Sequence, residues 1–195
     1  MKRMIALLLA LVMVAAVFAG CGNKGNGGNT AVDEPETALE LLEKVWGLYA
    51  AEEKFSAMGG EEMVMDAPGK VTMGGAENPL WNLYVPEDQL ANITDAATLV
   101  HAMNLNTFTC GAMKLADGVD AKAFAQTMCD TIKNTQWMCG FPERLVIANI
   151  GSYVVVAFGL DGVSFPEDGK LITTFTTHLK EAYTGASILF EEDLL

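Results

Sequence analysis

The stretch Arg144-Leu145-Val146-Ile147-Ala148-Asn149-Ile150-Gly151-Ser152-Tyr153-Val154-Val155-Val156-Ala157-Phe158 holds two apolar runs separated only by Gly151-Ser152. A two-residue link with glycine first marks a tight antiparallel hairpin, because glycine takes the positive φ that such turns require. The spacing predicts strands over 144–150 and 153–158. From Tyr153 to Phe158 every position is apolar, and Leu145, Val146, Ile147 and Ala148 are likewise. A strand with one wet face alternates, so an unbroken apolar run reads as buried on both faces.

Working outward from the hairpin, Asp120 caps a predicted helix in which Ala121, Phe124, Ala125, Met128 and Ile132 fall on one face. Residues 106–115 read as a strand before it. A helix is expected over 168–183, with Leu171, Ile172, Phe175, Leu179 and Ala182 inward, and a short strand over 187–190. The order strand, helix, strand, strand, helix, strand is the split βαβ arrangement of ferredoxin-like folds, and it places the chain in the α+β class. Both helices of that fold cover the same sheet face. The doubly apolar hairpin therefore needs a second cover, from a helix near the N-terminus, a partner chain or a ligand. The attached helix is the simplest answer.

That helix is expected over 33–56. Asp33 with Glu36, or Thr37 with Glu40, fits the capping-box pattern, and Leu39, Leu42, Trp46, Tyr49 and Ala50 recur at helical spacing up to Gly59-Gly60. One or two strands are expected over 61–85, around Met63-Val64-Met65 and Leu80-Trp81-Asn82-Leu83-Tyr84-Val85. A short helix should follow, capped by Asp95, with Ala96, Leu99, Val100 and Met103 on one face. The domain at 33–195 thus divides into a helical and irregular part, 33–104, and a βαββαβ part, 105–195.

The start of the chain reads as something other than fold. Lys2 and Arg3 precede the unbroken apolar run from Met4 to Val17, and Phe18-Ala19-Gly20-Cys21 follows. This is the layout of a secretory signal, with a run shorter than the roughly 20 residues needed to span a bilayer. Phe18-Ala19-Gly20-Cys21 resembles the lipobox of bacterial lipoproteins, with Phe18 in place of the commoner leucine. The resemblance implies cleavage after residue 20, a diacylglycerol on the Cys21 thiol and a lipid-anchored place on the outer face of the cell membrane. Two acyl chains anchor stably where one is marginal. Residues 21–32, mostly glycine and asparagine, would be a flexible tether.

Loss of the leader takes Lys2 and Arg3 with it, so the formal charge of −13 becomes −15. So acidic a domain is a poor partner for nucleic acid, whose phosphates demand clustered bases. Beyond Cys21 stand Cys110, Cys129 and Cys139, an odd set in apolar surroundings that reads as buried thiols. A Cys129–Cys139 bridge remains open as an alternative.

Catalytic patterns are wanting. Ser152 sits in a hairpin with no Gly-x-Ser-x-Gly around it, and His101 and His178 read as packed helix residues. No zinc or calcium pattern is present, and Met63, Met65 and Met73 read as core filling rather than a soft-metal set. No catalytic residue, metal or cofactor is expected. One segment does stand out. Trp137, Met138 and Phe141 lie in a helix-to-strand connection, where large apolar residues are least expected if exposed. They form either a rim that grips a ligand or partner, or a plug folded back on the core.

The stretch 93–183, with Met103-Asn104-Leu105-Asn106-Thr107-Phe108-Thr109 and Gln136-Trp137-Met138-Cys139-Gly140-Phe141-Pro142, resembles a group of uncharacterised lipoproteins from gut-type Firmicutes. Some members carry a bile-acid-transport label, which in a chain with no long apolar span after Cys21 implies at most an accessory protein. Together these readings lead to the expectation of a non-enzymatic binding or interaction module at the cell envelope. An accessory of a transporter, gripping a small amphiphile between the sheet and the first helix, is the alternative, and an extracytoplasmic enzyme ranks third.

Overall fold

A computed structural model describes residues 34–138, 140–164 and 169–195. Cys21, its leader and its tether lie outside these residues, as do Cys139 and the expected helix start at Asp168. The described chain is α+β, with three α-helices, α1 Ala38–Trp46, α2 Ala121–Lys133 and α3 Leu171–Ala182. Its strands are β1 Ala57–Gly59, β2 Val64–Met65, β3 Gly69–Val71, β4 Ile93–His101, β5 Phe108–Leu115, β6 Arg144–Ile150, β7 Tyr153–Gly159 and β8 Ser187–Asp193. All pair antiparallel in one sheet of order β2-β1-β4-β5-β7-β6-β8, with β3 also on β4.

The hairpin forms as expected, with Ile150 facing Tyr153 across the turn and Gly151 at φ 55°. The turn is also a fastening point. Glu34 accepts from the Ser152 amide at 2.8 Å and from its hydroxyl, and these bonds hold its carboxyl below the ordinary range. A Cβ on Gly151 would lie 2.5 Å from the Glu34 carboxyl carbon, so a side chain there would displace that carboxylate, and the positive φ favours glycine on its own account.

The ferredoxin-like arrangement is not what the sheet shows. There the last strand returns beside the first, whereas β8 pairs with β6 and leaves β5 to pair with β4. The crossovers β5-α2-β6 and β7-α3-β8 therefore step the same way across the sheet from strands of opposite direction. Right-handed connections of that kind must leave on opposite faces. The cores agree. Phe124, Met128 and Ile132 of α2 pack with Leu145, Ile147, Val154, Val156 and Phe158. Phe175 and Leu179 of α3 pack with Val146, Ala148, Val155 and Ala157 on the other side.

The N-terminal helix packs on the sheet, beside α3 and over β4 and β5, rather than covering a face alone. It is much shorter than 33–56. Thr37 is its cap, accepting from the Glu40 amide at 3.1 Å, and Gly47 ends it well before Gly59-Gly60, which closes β1 instead. The short helix expected after Asp95, with Ala96, Leu99, Val100 and Met103 on one face, is not formed: residues 93–101 are strand β4 and Met103 lies beyond its end. Asp95 does cap a helix, but across space: its carboxylate accepts from the Ala38 amide of α1 at 2.7 Å. Residues 81–83, within the apolar run read as a possible strand, form a 3-10 turn.

Cys110 and Cys129 are buried free thiols on opposite faces of the sheet, so they cannot bridge one another.

Candidate functional site

On the α1/α3 face the sheet is covered along most of its width. On the other face α2 spans β6, β7 and β8, and cover over β5 comes from the 3-10 turn Trp81–Leu83. Leu83 is fully buried where Gly111 of β5 has no side chain; a Cβ there would meet the leucine at 2.2 Å. Leu80 and Val85 are buried with it, and Asn78 locks the turn by donating to the Val85 carbonyl and accepting from the Leu80 amide. Beyond this turn, over this face of β4, β1 and β3, no α-helix follows among the described residues.

The space left there is an open groove of about 700 Å3, within the range of small-molecule sites. Met58, Val71, Val100 and Leu105 give it an apolar floor and walls, with Trp81 and Met63 at its margin. Thr98 and Val100 alternate with Ala97 and Leu99, which face α1, so the groove lies on the α2 side of the sheet. Trp81 is 66 % exposed and Met63 65 % exposed.

The far wall depends on three glycines. Strands β1 and β3 pair with different stretches of the same edge of β4. Their ends meet so closely that a Cβ on Gly59 would lie 2.2 Å from the Gly69 nitrogen. Gly60, at φ 70°, donates its amide to the Thr98 hydroxyl at 3.0 Å. The polar lining is mostly committed to the walls: the Thr72 hydroxyl donates to Glu61. Asn82 differs, since its buried carboxamide oxygen has no hydrogen-bond donor.

The residues singled out from sequence divide. Trp137 is half-buried, edge-on to Tyr84 at 5.2 Å and tilted against Phe158 at 5.4 Å, and so plugs the α2-side core. Met138 and Phe141 are exposed, at 79 % and 58 %. The loop is pinned by Asn106, whose side-chain amide donates to the carbonyls of Met138 and Gly140. None of the three residues lines the groove, but Leu105, next to their anchor, does.

The space between the sheet and the first helix, where a ligand was expected as one alternative, is packed solid by Leu41, Leu42, Val45 and Trp46. Met63 and Met65 are exposed on the β1–β2 hairpin rather than in the core, while Met73 packs against the α2-side core. His101 ends β4 and accepts from the Met103 and Asn104 amides, so it caps a loop and is not a helix residue. His178 is on helix α3, against the Tyr49 ring and beside Glu53.

Among the described residues no group of three or more His, Cys, Asp or Glu is disposed to hold a metal ion, and no helix is long and apolar enough to cross a membrane. No family model matches the chain, and no curated protein or solved structure is significantly similar to it.

Proposed function

We propose that this protein is a lipid-anchored extracytoplasmic binding module, without catalytic activity, that holds a small amphiphile in the groove over β4. The groove carries the reading. It is open, of ligand size and mainly apolar, and its walls are held by hydrogen bonds within the fold. Methionines at 58 and 63 suit such a role, since their unbranched chains adapt to ligands of different outline. The anchoring half of the proposal rests on Phe18-Ala19-Gly20-Cys21 and the glycine-rich stretch after it. A module of this kind would present its ligand to a membrane partner, such as a transporter, at a distance set by the tether.

Native mass spectrometry of the protein extracted from its own membranes tests both halves. The expected spectrum shows a chain beginning at Cys21 with a diacylglycerol mass, plus a bound small molecule that disappears when Leu105→Trp fills the groove. A Cys21→Ser chain that still incorporates labelled fatty acid would overturn the anchor. A bound mass unaffected by Leu105→Trp, or no bound mass at all, would overturn the groove.

A further inference from the structure

We infer that the groove selects an organic cation, an apolar body bearing an ammonium group, over neutral and anionic amphiphiles of the same shape. The inference rests on the groove being a binding site and adds the charge of its occupant. Among the described lining residues the ionisable ones are Glu61 and Glu77, and none is Lys, Arg or His. The nearest base in sequence, Lys70, is turned away: along β3, Gly69 and Val71 are buried and Lys70 between them is exposed. An anionic headgroup would enter beside two carboxylates with no counter-charge, inside a protein whose overall formal charge is −13. An ammonium group meets the reverse situation.

One further feature fits the same occupant. Trp81 is the large aromatic of the lining and is mostly exposed, and a cation over an aromatic ring is stabilised by its quadrupole.

The test uses the acylated protein in nanodiscs of zwitterionic lipid, with empty discs as the blank. Phenylbutylamine, phenylbutanol and phenylbutyrate form a matched set of cation, neutral and anion, and equilibrium dialysis at low salt measures each. The amine should bind about tenfold more tightly than the acid, the alcohol falling between, as expected for two exposed charge contacts. Glu61→Gln with Glu77→Gln should abolish the order. Glu43→Gln with Glu52→Gln changes the net charge equally from exposed positions outside the groove and should preserve it. Equal binding of all three probes would overturn the charge selectivity while leaving the groove as a site. Loss of the order in the Glu43/Glu52 variant would assign it to the overall field and overturn the inference too. Binding of none of the probes would overturn the site itself.

Discussion

At the scale of single residues, Glu143 holds a loop by its carboxylate. Its carboxylate is buried and accepts from the amides of Asp161, Val163 and Ser164, gathering the loop after β7. Burial alone would raise its pKa, but the three backbone donors outweigh that and hold it below the ordinary glutamate range. A carboxyl with a lowered folded pKa stabilises fully above the unfolded value and loses that contribution as pH falls through the folded one. The loop should therefore be firm at neutral pH and loosen only under acid conditions. Glu143→Gln should loosen it at neutral pH already, at a cost of about 1.5–3 kcal/mol for charge-assisted bonds. Amide exchange at Asp161, Val163 and Ser164 is the measurement. Unchanged protection in the variant would show that the loop is held by something else. Asp161 is the evident competitor, since it pairs with Arg144 and accepts from the Thr173 amide at the start of α3.

At the scale of elements, the wall formed by β1 and β3 is the part most sensitive to one added methyl group. A Cβ on Gly69 would stand 2.2 Å from the Gly59 carbonyl oxygen, backbone against backbone, where no rotamer change can relieve the overlap. Gly69→Ala should cost about 1–3 kcal/mol as overpacking does, and should separate the two strands. Gly75→Ala is its control, because nothing lies within 4 Å of that Cβ. Denaturant titration of both variants, with exchange of the Gly60 amide, decides the matter. Equal stability of the two would mean that the wall is pliable.

The same elements explain what the sequence could and could not convey. The hairpin at 144–158 was legible because its turn chemistry is local. Strand β4 was not. Buried from Ala96 to Val100, it does not alternate apolar with polar there, and Ala96, Leu99, Val100 and Met103 can be picked out at helical spacing. Asp95 reinforced the error by looking like a cap, which it is, for a helix some sixty residues earlier. The groove was illegible for another reason. Its walls come from 58–63, 71–82, 98–100 and 105, which only the fold brings together. The available signals were the Gly59-Gly60 pair and a tryptophan in a turn-rich segment. At 137–141 the sequence marked a loop with unusual apolar content and left plug and rim as alternatives; the structure makes Trp137 the former and leaves Met138 and Phe141 outward.

At the scale of the whole molecule, one sheet separates two cores, and each depends on different chain segments. Helix α1 serves only the α3 side, where Trp46 is nearly buried, packs on Tyr49 and Phe55, and donates its indole N–H to the Asp66 carbonyl. Trp46→Ala should cost about 3–5 kcal/mol, a large part of the stability of a domain this size. A chain beginning at Glu61 loses α1 and β1 together and bares Ala97, Leu99, Cys110 and Ala112 on that face. It should aggregate or dimerise, as light scattering after size exclusion will register. A cooperatively folding monomer from residue 61 onward would refute the dependence on α1.

The fastening of residues 34–38 has a mechanical meaning. Tension arriving along the chain from its N-terminal side meets Glu34 on Ser152 first, then the Glu36 carbonyl held by the Tyr153 hydroxyl, then the Ala38 amide held by Asp95. These grips are loaded in turn, so they yield one after another, and the first to let go is a carboxylate whose hold weakens once it takes up a proton. Drag on the molecule would peel α1 from the sheet from its leading end while the strand pairing at 144–158 stays intact, and acid would lower the pull at which that peeling begins.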